Sequence, residues 1–293
     1  VRLGVFVQSP TVAESVANAR QVAEAGFASF WMPQIFGVDA LTALAVVAHE
    51  VPDLELGTAV VPTFPRHPMM LAAQARTLQQ VAGGRFTLGI GLSHQLVIEG
   101  MLGMSWDKPV RHLREYLSIL MPLVRGEASE FEGETLTAKV TLDIADSTPV
   151  PVLVAALGAQ MLTVAGRMAE GTATWMTGPA TIEAHIAPTI SAAATAAGRP
   201  APRIVCALPV CVTDDEAAAR AKAAEMFAMY GFLPSYRAML DREGADGPAD
   251  VAIVGDAAAV RAGIERVIEA GATEFVAVPF SRGEHTLEVL AGF

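Results

Sequence analysis

Apolar residues along the chain fall into short unbroken runs that alternate with longer stretches of helical periodicity. Leu3 to Val7 reads as a buried strand, followed by Thr11-Val-Ala-Glu14 in capping-box form. Val12, Val16, Ala19 and Ala23 then share one helical face, and Gly26 stands at the expected C-terminal cap. The same unit recurs. Strand Phe27–Met32 precedes a helix over about 39–50, and strand Leu54–Val61 precedes a helix opened by Pro68 and stopped by Gly83-Gly84. Arg85–Gly91 is the fourth strand. Val150–Ala156, Thr172–Met176, Ile204–Val212 and Thr273–Pro279 complete a set of eight, each leading into a helix-like segment.

Apolar strands alternating with amphipathic helices imply a parallel sheet covered by helices, and eight repeats favour a closed α/β (β/α)8 TIM barrel over an open doubly wound sheet. Two of the spacings between strands are about twice the others, so residues 92–149 and 213–250 read as insertions after strands 4 and 7 of one domain spanning 1–293. Gly89-Ile-Gly91-Leu-Ser-His94 has the start of a dinucleotide fingerprint. Its third glycine position holds His94, and no acidic residue ends a strand about 20 residues later, so it does not read as a nucleotide loop.

The composition removes several classes of function. With 52% hydrophobic residues the chain of 293 residues is not a disordered one. Twenty basic against thirty-one acidic residues give a net charge of −11, which repels nucleic-acid backbones and anionic lipid. The chain opens directly into an apolar run without a basic leader, and no apolar stretch reaches the ~18 residues of a membrane span. Cys206 and Cys211, on one extended segment, lie ~16 Å apart, too far for a disulfide. A cytoplasmic protein is the expectation.

In such a barrel, chemistry sits at the C-terminal ends of the strands. Polar candidates there are Gln34, the loop Thr63–His67, Ser93 and His94, Gly158–Gln160, Thr177 and Gly178, and Arg282, each of which can equally be a turn former or a helix cap. Lys108, Lys139 and Lys222 all fall outside predicted strands, which disfavours Schiff-base chemistry. The six histidines form no His-x-His or His-Glu-x-x-His pair, so no metal ligands are expected, and no Gly-x-Ser-x-Gly elbow or Cys-x-x-Cys occurs. What remains is a barrel whose chemistry comes from a bound organic cofactor.

Several segments together resemble the luciferase-like monooxygenase superfamily, in particular its branch using the deazaflavin coenzyme F420. They are FWMPQIFGVDALTALA (30–45), LGTAVVPTFPRHPMMLAAQARTL (56–78), GGRFTLGIGLSH (83–94), PVLVAALGAQMLTVAGRMAEGTATWMTGP (150–179) and GATEFVAV (271–278). The resemblance implies a non-prolyl cis peptide at Ala59–Val60 that supports the back of the cofactor ring. It also implies a phosphate-binding turn at Ala156-Leu157-Gly158-Ala159-Gln160, extended by Thr177 and Gly178. Sugar-phosphate dehydrogenases of that branch carry an Asp-His pair after strand two, where this chain has Pro33-Gln34, and a glutamate after strand four, where it has His94. Gln34 can hydrogen-bond cofactor or substrate but cannot exchange a proton, so His94 is the expected proton-handling group, or else only lines the pocket. Arg66 and His67 either hold the ring or fix their loop. Trp106 and Met104 either cover the pocket or pack the first insertion onto the barrel.

The resulting expectation is an F420-dependent oxidoreductase that passes a hydride between the deazaflavin C5 and a small organic substrate, as a possible homodimer. The alternatives are an FMN-dependent monooxygenase on the same scaffold and a flavin- or deazaflavin-binding protein without turnover.

Overall fold

A computed structural model describes residues 1–293. The chain runs β1 (Leu3–Phe6), α1 (Val12–Glu24), β2 (Ser29–Met32), α2 (Ala40–Glu50), β3 (Glu55–Thr58), β4 (Val61–Pro62), α3 (Pro68–Val81) and β5 (Phe86–Gly91). A π-helical turn (Leu96–Met101) leads to α4 (Pro109–Val124), a hairpin of β6 (Ser129–Glu132) and β7 (Thr137–Val140), then β8 (Val152–Val154), α5 (Ala159–Met168) and β9 (Gly171–Trp175). Next come α6 (Pro179–Thr181), continuous through a second π turn with α7 (Ala187–Ala196), then β10 (Arg203–Val212), α8 (Glu216–Met226) and α9 (Pro234–Glu243). The chain ends with β11 (Ile253–Gly255), α10 (Ala257–Glu269), β12 (Glu274–Pro279) and α11 (Gly283–Leu290).

Parallel pairing runs β1–β2–β3–β5–β8–β9–β10–β12 and returns to β1, which closes an eight-stranded (β/α)8 barrel. The helices start where the side chains dictate. Thr11, Asp39 and Asp256 each accept a backbone N–H three residues on, and Pro68 occupies the first turn of α3. No helix is long and apolar enough to cross a membrane.

Three features refine the sequence reading. Within 92–149, α4 packs between α3 and α5 and is the barrel's own fourth helix, so the added material there is the 92–108 segment and the β6–β7 hairpin. β11 is too short to show as a run and extends the sheet at the C-terminal end of β10. The expected third strand is split. Gly57 pairs with Thr87 and Val61 with Ile90, four residues' advance against three, which is a bulge at 58–60.

The barrel interior is filled from below. Trp31, 1% exposed, lies across the lumen with Leu153, Val205 and Val276. A Cβ on Gly57 would come within 2.3 Å of its ring, so that position must be glycine for the indole to lie flat. Beneath it, buried Glu274 accepts from Ser29 Oγ (2.5 Å), Trp31 Nε1 (3.2 Å), Arg2 Nε (3.1 Å) and an Arg203 guanidinium nitrogen (3.2 Å). This network satisfies a carboxylate that burial would otherwise penalise, and it closes the N-terminal end. Phe6, Ala59, Ala173 and Ala207 pack around this layer, with Ala59, two residues past Gly57, towards the C-terminal end.

Candidate functional site

At that end, the bulge forms a shelf. The Ala59–Val60 peptide bond is cis, as the resemblance implies. Thr58 Oγ1 replaces the interrupted ladder locally, accepting from Gly89 N (2.8 Å) and donating to Gly89 O (2.9 Å). β5 can approach this closely only because Gly89 and Gly91 lack side chains. A Cβ on Gly89 would meet Thr58 O at 1.9 Å, and one on Gly91 would meet Val60 Cγ2 at 2.7 Å and Ala155 Cβ at 3.2 Å. The Gly-x-Gly of the fourth strand therefore serves the bulge and not a nucleotide. Ala155 ends its strand exposed, so a flat ligand resting on Val60 would meet only small groups on that side.

The turn after β8 continues the open surface. Gly158 is the N-cap of α5, no side chain caps it, and its missing Cβ faces open space, as expected of backbone N–H groups available to an anion. Leu157 is half-buried and Ala159 and Gln160 are exposed. His185, 9% exposed, lies 2.8 Å through Nε2 from Leu157 O and fixes the turn from behind.

His94 follows the shelf strand, next to Ser93, whose φ of 65° re-aims the chain away from the barrel. Its ring is half-buried and sits 5.8 Å from that of Tyr236, centroid to centroid, tilted by 55°. Burial pushes the His94 pKa below its usual value, so the imidazole is neutral at neutral pH and free to accept a proton. The contact continues around the mouth through Tyr236–Tyr230 (5.1 Å) and Tyr230–Trp175 (5.7 Å).

Other expected residues are committed elsewhere. Gln34 Oε1 accepts Ala40 N–H (2.7 Å), so its amide carbonyl caps the first turn of α2. Thr177 is fully buried and its hydroxyl donates to Trp175 O (3.1 Å). Over Gly178 lies the Glu243 carboxylate, which accepts from Ala180 N (3.1 Å) and Thr181 N (2.7 Å), and a Cβ on Gly178 would meet it at 2.4 Å. The helix end after strand six thus holds an internal anion, the Glu243 carboxylate. Arg66 pairs with Asp39, and His67 caps α3 by accepting Met69 N–H. Trp106 stacks on Phe64 (5.1 Å), which stacks in turn on His112 (4.0 Å), so Trp106 fastens the first insertion to the loop beyond the shelf. Met104 is exposed, and no group of three or more His, Cys, Asp or Glu side chains is placed to hold a metal.

Tyr236, Trp175, Glu243 and His185 carried no signal in the sequence beyond their residue types. Each acts through an element distant in the chain.

The fold and its open mouth define a (β/α)8 barrel with a small-residue shelf and a cluster of aromatic rings at the strand ends. The luciferase-like monooxygenase family model matches residues 2–277, and the chain belongs to that family; it is an enzyme, an oxidoreductase. It is 29% identical over 259 residues to a 5,10-methylenetetrahydromethanopterin reductase of Methanolobus tindarius, covering 87% of this chain and 78% of that one. It is 38% identical over 108 residues, 37% of this chain and 30% of the other, to a putative coenzyme F420-dependent oxidoreductase of Mycobacterium tuberculosis. Among solved structures, the coenzyme F420-dependent tetrahydromethanopterin reductase of Methanopyrus kandleri superposes with a TM-score of 0.82 at 22% identity, covering 99% of this chain and 97% of that one. An FMN-bound Baeyer–Villiger monooxygenase component from Pseudomonas putida has the same fold, with a TM-score of 0.77 at 18% identity over 99% and 96% of the two chains.

Proposed function

We propose that this enzyme binds coenzyme F420 at the barrel mouth and transfers a hydride between it and a small organic substrate. The observation that carries the reading is the shelf: Val60 seated on Gly89 and Gly91, beside an uncapped α5 N-terminus, offers a flat support next to backbone donors for an acidic tail. The similarity to the Mycobacterium tuberculosis protein favours F420 over FMN as the occupant.

When bound, F420 supplies a carbon centre that gives or takes two electrons as hydride. The chain's contribution is placement and proton management. Val60 and the small residues around it would support the ring from one face and leave the other for substrate. Gly158, Ala159 and Gln160 would present N–H groups to its phosphate. Hydride addition to a carbonyl or imine carbon would leave negative charge on oxygen or nitrogen, and the protonated form of His94 would neutralise it by giving up a ring proton and returning to the neutral imidazole. In the oxidising direction the neutral imidazole takes the proton instead. Tyr236 packs on that ring and limits its tilt.

Spectral and fluorescence titration with F420 and with FMN tests the cofactor. Saturable binding of F420 supports the reading, whereas tight FMN binding with no response to F420 assigns the mouth to flavin monooxygenation. Stopped-flow mixing of the F420H2-loaded protein with enones, imines and quinones tests turnover, and a protein that reoxidises with none of them is a binding module.

A further inference from the structure

Large apolar side chains left in water are not scattered over this protein. Segments 35–36, 96–104 and 226–232 carry nine of the thirteen that are exposed, and all three lie in connections that follow a barrel strand, after β2, β5 and β10. Phe36 is 72% exposed, Leu96 69%, Met101 62% and Phe232 85%. Isolated apolar residues are ordinary on any surface, but concentration around one opening marks a site that contacts apolar matter. Inside this rim stands the aromatic wall of Trp175, Tyr230 and Tyr236, whose rings meet edge to face.

Charge is managed in the opposite sense. Arg66 is neutralised by Asp39, and Glu243 is absorbed by two backbone N–H groups. The ion network around Glu274 is sealed beneath Trp31. Burial leaves His94 uncharged. The competing features are Glu99, exposed within the 96–104 segment and bonded to Gln95, and Arg282, exposed after the eighth barrel strand, which would instead favour an acidic substrate.

Resting on the oxidoreductase reading of the mouth, we infer that its substrate is flat and uncharged at the reacting end and carries an apolar remainder that lies along the rim of Phe36, Leu96, Met101 and Phe232. The aromatic wall selects a planar head by stacking, and the rim adds affinity in proportion to the apolar surface it covers.

The probes are phenyl alkyl ketones from acetophenone to octanophenone, with 4-acetylbenzoate as the charged analogue, titrated calorimetrically with and without F420. A methylene half-covered by the rim tightens binding about twofold, so the series should gain on the order of 50-fold from end to end. Acetophenone should bind more tightly than 4-acetylbenzoate. In the F36S/F232S double variant, which removes two of the four rim side chains, both solvent-exposed, the gain per methylene should fall clearly below that of the native protein. The inference is overturned by affinity indifferent to chain length, by no binding across the series, by an unaltered slope in the double variant, or by tighter binding of 4-acetylbenzoate, which would assign the mouth to an acid held at Arg282. Failure of F420 to bind while the chain-length dependence persists would reject the cofactor reading and leave this inference standing.

Discussion

Gly178 and Glu243 allow the two explanations of the helix end after strand six to be separated. Family resemblance assigns Gly178 to the cofactor, while the structure assigns its missing Cβ to Glu243. The three heavy atoms nearest a Cβ there all belong to that carboxylate, at 2.4, 2.4 and 2.8 Å. The backbone at Gly178 (φ −79°, ψ 173°) suits alanine, so Gly178→Ala tests space alone. Forcing the carboxylate aside should cost about 1–2 kcal/mol. Glu243→Ala removes two charge-assisted hydrogen bonds, which for a half-exposed carboxylate amounts to about 2 kcal/mol. With the carboxylate gone the added methyl has room, so the double variant should be little worse than Glu243→Ala alone, a coupling of about 1–2 kcal/mol. Urea unfolding of the four proteins measures the cycle, and F420 titration of the same four measures the ligand. Additive losses of stability, or an F420 affinity that Gly178→Ala lowers equally in both backgrounds, would refute the internal-anion account and return Gly178 to the cofactor.

Three further outcomes are expected. His94→Ala should lower turnover about 100-fold or more while changing F420 affinity little. In the oxidising direction the native pH profile should rise through a midpoint below 6.5, since burial lowers the His94 pKa, and a limb that survives in the variant would acquit His94. Gly91→Ala should push Val60 out of place and weaken F420 binding about tenfold, for a cost of about 1–2 kcal/mol; unaltered affinity would mean that the ring does not rest on Val60. Burial opposes ionisation of Glu115, but hydrogen bonds from Thr135 Oγ1 and from the N–H groups of Thr135, Glu134 and Leu136 prevail and hold its pKa down to about 2 from 4.5. That stability is present above pH 4.5 and is lost as pH falls towards 2. Glu115→Gln should therefore cost up to about 3 kcal/mol at pH 7 and almost nothing at pH 2 in thermal or urea melts.

The barrel was legible because strands buried on both faces leave continuous apolar runs, and the capped helices between them repeat at a steady interval. Where the interval doubled, the pattern misled. Helix α4 lies far from its strand in sequence, so the doubled interval reads as an insertion although Pro109 marks the first turn of that helix. The shelf was legible through the motif around Ala59 and Val60, but its physical cause, two glycines on the next strand, needed the pairing register. Gln34 was ambiguous for a simpler reason. An amide at a strand end can face the mouth or cap the next helix, and only the 2.7 Å contact with Ala40 N decides. Glu243 is one of thirty-one acidic residues, and Tyr236 meets His94 across more than a hundred residues of chain, so neither leaves a local trace.

These placements narrow who can move a proton. Hydride transfer to a neutral substrate in a pocket of low polarity leaves a charge that must be neutralised there, because water is poorly placed to share it. Gln34 is turned to α2, the Thr177 hydroxyl to Trp175 O, and the Glu243 carboxylate to backbone N–H groups. Arg2, Arg203 and Glu274 lie beyond the indole of Trp31. Tyr236 adjoins His94, but burial raises its pKa above the phenol's ordinary value, which makes it a poor proton donor. His94 therefore has no understudy among these groups, and its loss should be rescued by small external imidazoles or amines that fit the space it leaves, in a manner that follows their pKa.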